Sequence, residues 1–262
     1  MQAKTSQLSF FNTCERLMFS LLAFLAAVFG YCGPLAAQEK SVSSSQLFNG
    51  QNLDGWDGDP RFWRVENGEL IGETSEANKA EKNTFLIYRG GEFADFDLQF
   101  QYQVSGYNSG VQYRSTEIGK WSVGGYQADF EAQHHKSDNG PIDRFSGMFF
   151  DEQGRMFMGQ RGQAVIVRTN TETPKKPYLG IIGSVGDSLE LEKAIHRNDW
   201  NTMRVVARGF TFTHIINERV MSIGIDEDMA HRKASGIIAF QLHSGPPMKI
   251  RIKDLRIIEL GK

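Results

Sequence analysis

The 262-residue chain contains only two cysteines, Cys14 and Cys32, both close to its start. Beyond them there is no thiol, which excludes a disulfide framework, a cysteine zinc site and a cysteine nucleophile from the rest of the chain. Charge of one sign is also lacking. Against 31 Asp and Glu stand 29 Lys and Arg, for a formal charge of −2. The only basic pairs noted, Lys175-Lys176 and Arg232-Lys233, are isolated, so nucleic acid is not an expected partner. No segment carries a long, capped 3.6-residue hydrophobic period. Short helices fit only Leu189–Ile195 and Ala230–Ala234. There is no strand–GxxxxGK–helix unit to cradle a phosphate, no internal repeat and no sign of a second domain.

The hydrophobic runs are short. The longest uncharged one, Leu17–Gly30, has 14 residues, whereas a bilayer crossing needs about 20. It follows Lys4 and Arg16 and precedes the small residues Ala36 and Ala37 before Gln38. That arrangement predicts a secretory signal peptide over 1–37 with cleavage near Ala37. The alternatives are an uncleaved anchor or lipid attachment at Cys32. A polar spacer over 38–46 and one folded domain over 47–262 complete the expected organisation. The protein is therefore expected to be exported, periplasmic or extracellular, and free of the membrane once the leader is removed. The roughly 225 residues after the leader suffice for one buried core. Oligomeric state is not legible.

What is present is alternation. Phe96-Asp97-Leu98-Gln99-Phe100-Gln101-Tyr102-Gln103-Val104 alternates apolar and polar without a fault, the mark of a strand with one buried face. Further strands are expected at Phe62–Val65, Glu69–Gly72, Phe85–Tyr88, Gly110–Arg114, Gly125–Glu131, Ala164–Arg168, Met203–Ala207, Phe212–Ile216, Val220–Ile225, Gly236–Leu242 and Lys249–Leu260. Asn67-Gly68 and Asn217-Glu218 supply turns. Thr169–Leu191, with Pro174, Pro177 and Gly180, reads as a long surface excursion. Many strands without alternating helices predict an all-β sandwich or jelly roll.

Seven stretches carry a family resemblance: Leu47–Trp56, Phe62–Leu70, Asn108–Ser115, Gly125–Phe130, Phe145–Glu152, Asp199–Gly209 and Gln241–Met248. In this order they resemble the 3-keto-disaccharide hydrolase family across Leu47 to Leu260. The resemblance implies a concanavalin A-like jelly roll of two antiparallel sheets. It also implies action on glycosides whose sugar 3-hydroxyl has been oxidised to a ketone. Such a ketone acidifies the hydrogen at C2. Proton abstraction, expulsion of the C1 substituent and hydration then cleave the glycosidic bond. This path needs a base, a donor for the leaving oxygen, and a group facing the enolate.

Gln127, Asp129 and Glu131 alternate with Tyr126, Ala128 and Phe130, so the polar three share one strand face at spacings of roughly 6–7 Å. Two carboxyls in one hollow can divide acid and base work; a solvated outer face is the plainer reading. Asp129 and Glu131 are the expected acid and base. Arg114 is expected as the enolate's electrostatic partner, although a salt bridge would explain it equally. His243 is expected as a base or donor on the strand face it shares with Gln241. Gln127, Gln241, Tyr113 and Trp121 are expected to contact the sugar, with Trp121 as a stacking platform. Trp63 and Trp200 fit core packing better. Asp151-Glu152 reads as a loop near the cleft, at the surface by default. No cofactor is called for. His134-His135 with Glu131 and Asp138 leaves a divalent metal open. The expected partner is an oligosaccharide or glycoside. A non-catalytic sugar-binding module is the alternative function. An ordinary endo-glucanase ranks last, because the first glutamate of a Glu-x-Asp-x-x-Glu-like strand is replaced by Gln127.

Overall fold

The computed structural model describes residues 44–132, 135–137, 140–173 and 176–261. The expected leader and both cysteines lie outside the described residues, as do His134, Asp138, Pro174 and Lys175. Among the described residues there are nineteen strands and one short helix. In chain order they are β1 (Ser44–Gln46), β2 (Trp56–Asp57), β3 (Trp63–Glu66), β4 (Glu69–Glu73), β5 (Thr84–Tyr88), β6 (Phe96–Ser105), β7 (Asn108–Gly119), β8 (Ser122–Glu131), β9 (His135–Ser137), β10 (Gly140–Ile142), β11 (Phe149–Glu152), β12 (Met156–Gly159), β13 (Gln163–Arg168), β14 (Tyr178–Ser184), α1 (Ser188–Glu192), β15 (Asn201–Arg208), β16 (Thr211–Ile216), β17 (Arg219–Asp226), β18 (Ile237–Leu242) and β19 (Lys249–Glu259).

Two large sheets result. One has ten strands in the order β14-β13-β17-β16-β15-β6-β19-β4-β3, with β1 also on β19. The other has seven, in the order β12-β11-β8-β7-β18-β5-β2. The strands pair antiparallel except β13 with β17. This is the expected all-β jelly-roll sandwich. β9 and β10 form a separate hairpin.

The alternation in β6 does what period two dictates. Phe96, Leu98, Phe100, Tyr102 and Val104 are buried between the sheets, while Gln99, Gln101 and Gln103 are partly exposed. Across the core they meet Phe130 and Phe240, with ring centroids 4.3 Å apart for Tyr102–Phe130 and 5.1 Å for Phe100–Phe240. Each such buried side chain contributes about 1.5–3 kcal/mol. The β3–β4 hairpin closes through Asn67 (φ 52°) and Gly68 (φ 80°). Both are left-handed, as a two-residue turn matched to strand twist requires.

Four local expectations need correction. Ser44–Gln46, read as spacer, adds β1 to the large sheet. The excursion after Thr169 contains β14, which pairs with β13. Ala230–Ala234 is not helical: Asp228 gathers it into turns through Ala230 N (3.3 Å) and His231 Nδ1 (2.8 Å). Asp151 and Glu152 are not exposed loop but the buried end of β11. Asp151 can be buried because Arg155, itself buried, joins it at 2.6 Å and reaches Asp226 at 2.8 Å and Asp228 at 3.2 Å. A charge removed from water needs such partners.

Candidate active site

The outer face of the seven-stranded sheet carries a polar row. β8 turns Tyr126, Ala128 and Phe130 into the core and leaves Gln127, Asp129 and Glu131 on the other face. None of the three is solvated: their exposures are 2%, 3% and 3%. Register sets the neighbours. Gln127 lies opposite Gln112 of β7 and Phe150 of β11, and Asp129 lies opposite Gly110. Gly110 is required there, because a Cβ would come within 2.7 Å of the Gln127 side chain.

A chain of side-chain amides crosses this face. Ser115 Oγ donates to Gln112 Oε1 at 2.8 Å, and Gln112 Nε2 donates to Gln127 Oε1. Gln127 Nε2 donates to Asp129 Oδ1 and, at 3.5 Å, to Gln241 Oε1. Gln241 Nε2 donates to Glu152 Oε2 at 3.2 Å, and Asn83 Nδ2 to Glu152 Oε1 at 3.2 Å. Two carboxyls are thus held in place by neutral donors. Burial pushes Asp129 well above the usual carboxylate range; Gln127 opposes the shift, and the charges of Glu131, Glu152 and Asp143 add to it. The site thus favours the proton-bearing form of Asp129.

These groups line a hollow of about 120 Å³ with Tyr107, Asn108, His135, Phe145, Met148, Phe150, Phe157 and His243. Phe145, Met148 and Phe157 are shared with an adjoining hollow of about 400 Å³. His243 Nδ1 stands 2.6 Å from the Ser244 carbonyl oxygen. That contact orients the ring, and in the neutral imidazole it favours the tautomer with its hydrogen on Nδ1 and its lone pair on Nε2. A wider depression of about 700 Å³ lies elsewhere, along β6 and β19. Its polar groups are tied to one another, as Gln101 is to Asp254 and Arg256 to Gln99, each at 2.6 Å. It has no buried carboxyl pair, so the smaller hollow is the better reaction site.

Of the eight expected site residues, the hollow brings together Asp129, Gln127, Gln241 and His243. The other four lie elsewhere. Glu131 shares the strand face, but its Oε1 accepts the backbone N–H of Arg144 and of Phe145 (2.9 Å), and Oε2 meets His135 Nε2 at 3.2 Å. It anchors the segment that roofs the hollow. Burial and the neighbouring Asp143 push its pKa up to about 8. Asp143 Oδ2 is buried with no hydrogen-bond partner among the described residues, and it faces the carboxyl whose proton it helps to hold. Arg114 is enclosed: it donates to the carbonyls of Ala94 (2.6 Å) and Gly209 (2.5 Å) and to Asp95 (2.7 Å). Alternation with Gln112 would aim it at the hollow. The register break after Tyr113 and a left-handed Arg114 (φ 45°) redirect it. Tyr113 faces the core, where its hydroxyl meets His214 Nε2 at 2.8 Å. Trp121 sits in the β7–β8 turn and donates to Asp57 at 2.8 Å. Sequence reasoning sets Glu152 near the cleft but as surface loop, and gives no site role to Asn108 or the Phe145–Phe157 rim. Among the described residues no group of three or more His, Cys, Asp and Glu could hold a metal.

The family model described as 3-keto-alpha-glucoside-1,2-lyase-like domain matches residues 43–258. The chain belongs to this family. No curated protein matches it in sequence. Among solved structures, a candidate glycosyl hydrolase from Parabacteroides distasonis ATCC 8503 superposes with a TM-score of 0.55 at 17% identity, over 83% of this chain and 100% of that one. A second from the same organism gives 0.54 at 16% identity, over 83% and 94%. The kappa-carrageenase of Pseudoalteromonas carrageenovora, solved with an oligotetrasaccharide of kappa-carrageenan, gives 0.51 at 10% identity, over 87% and 98%. At such identities the likeness is one of fold. Membership in the lyase-like family is what makes this a carbohydrate-acting domain, either hydrolase or binding module.

Proposed function

We propose that the protein cleaves the glycosidic bond of 3-keto-glycosides in its hollow. The observation carrying this reading is the placement of a buried Asp129, its carboxyl pushed above the ordinary range, within the same small hollow as the His243 ring. His243 Nε2 removes the hydrogen at C2, and the electrons pass to the C3 oxygen as an enolate. The side-chain amide of Asn108, which makes no hydrogen bond within the described residues, donates to that oxygen. Collapse of the enolate breaks the C1–O bond, and Asp129 protonates the departing oxygen. Water then adds to C1 as Asp129 takes back a proton, and His243 returns the hydrogen to C2. The products are a free 3-keto sugar and an alcohol, and both side chains end as they began. Gln127 and Glu152 position Asp129 and Gln241 respectively. We also propose that the chain is exported, on the strength of the expected leader.

The test is turnover of a 3-keto-disaccharide beside its unoxidised parent. Release of sugar from the ketone alone is expected, with Asp129→Asn slowed by at least about 100-fold. Binding of either sugar without turnover would instead favour the binding module. Cleavage of the parent would defeat the keto mechanism.

A further inference from the structure

Among the described residues, strand β14 closes one end of the ten-stranded sheet and pairs only with β13. Its large side chains are exposed on both faces: Tyr178 57%, Leu179 49%, Ile181 68% and Ile182 55%. The stretch Pro177–Gly186 carries no charge. Natural edge strands are normally blunted by lysine, an inward charge, a proline within the strand or a covering segment. Here none of these devices appears among the described residues, and the outer edge of the backbone stays unpaired. Such an edge is a template for another extended chain, which would replace water along it.

We propose that β14 pairs antiparallel with β14 of a second copy of this chain, about a two-fold axis near Ile181. The ends of the strand select this partner and this direction. Exposed Lys176 precedes it, while exposed Asp187 and Glu190 follow it. Antiparallel pairing brings the basic end of one copy to the acidic end of the other. Parallel pairing would set like charges together, which is destabilising. The pairing is isologous, so it consumes both free edges and stops at two copies. Its size is modest: a seven-residue edge with four apolar side chains offers on the order of 600 Å² per copy, the lower end for specific contacts. A dissociation constant in the micromolar range is expected.

Sedimentation equilibrium of the full chain from about 1 to 100 μM tests this. A reversible monomer–dimer equilibrium is expected. Ile181→Lys would place two lysines face to face at the axis and weaken it at least about 100-fold. Its melting temperature should match the wild type, since the side chain is exposed in the monomer. Met229→Lys, at an exposed apolar residue elsewhere (77%), should leave the dimer intact. A wild type that stays monomeric at 100 μM overturns the proposal. So does an Ile181→Lys protein that still dimerises, or equal loss of association in the two variants.

Discussion

Replacing Glu131 by Gln is expected to make the protein more stable in mild alkali and little changed in acid. Glu131 is fully enclosed, and its carboxyl is raised from 4.5 to about 8, chiefly by burial and then by the charge of Asp143. The folded state therefore binds a proton that the unfolded chain releases at lower pH. With a raised carboxyl, stability is complete below pH 4.5 and is lost as pH climbs to about 8. At about 1.4 kcal/mol per pH unit, the interval corresponds to a ceiling of about 5 kcal/mol. Some of that cost belongs to Asp143, whose charge forms one half of the repulsion, so about 2–3 kcal/mol is expected to respond to this substitution. Glutamine keeps an oxygen for the backbone N–H groups of Arg144 and Phe145, and its amide can donate permanently to Asp143. For a fold of this length, the gain at pH 8.5 is about 5–10 °C in Tm. Thermal melts followed by circular dichroism from pH 4.5 to 9 would show the wild-type curve falling away from the variant's. Parallel curves across that range would refute the assignment of a buried, proton-bearing Glu131.

Other outcomes follow from the same geometry. Gly110→Ala should push Gln127 off Asp129, costing about 1–3 kcal/mol. Activity on a 3-keto-glycoside should fall about tenfold or more, read as kcat/KM beside a melt. Arg155→Met should strand Asp151, Asp226 and Asp228 without their cation and cost about 3–5 kcal/mol, seen as a lowered urea midpoint. His214 is held near pKa 4 by its complete burial. A lowered histidine means that the unfolded chain takes up the proton first, so stability should drop as pH falls from 6.5 towards 4. His214→Gln should flatten that limb of a Tm profile.

The sandwich was legible because β6 and β8 alternate cleanly and because Asn67-Gly68 names its own turn. The same alternation placed Gln127 and Asp129 on one face and Gln241 with His243 on another, and the hollow joins the two pairs. Parity also explains one misplacement: Tyr113 follows Gln112, and adjacent residues of a strand cannot both face the same side. Arg114 escaped for the opposite reason, since a bulge and a left-handed backbone interrupt the period at that residue. Glu152 reads as lying near the cleft, but its burial on a strand could not be found by pattern. Phe149-Phe150-Asp151-Glu152 has no alternation, and the cation that lets Asp151 be buried beside it answers to Asp226 and Asp228, far along the chain.

The amide ladder from Gln112 through Gln127 to Gln241 has a consequence for the behaviour of the hollow. Carboxamides neither titrate nor attract counterions, so the ladder itself should keep its hydrogen bonds in brine. Its response to pH should come instead from the carboxyls at its ends and from Glu131, which ties down the rim through Arg144 and Phe145.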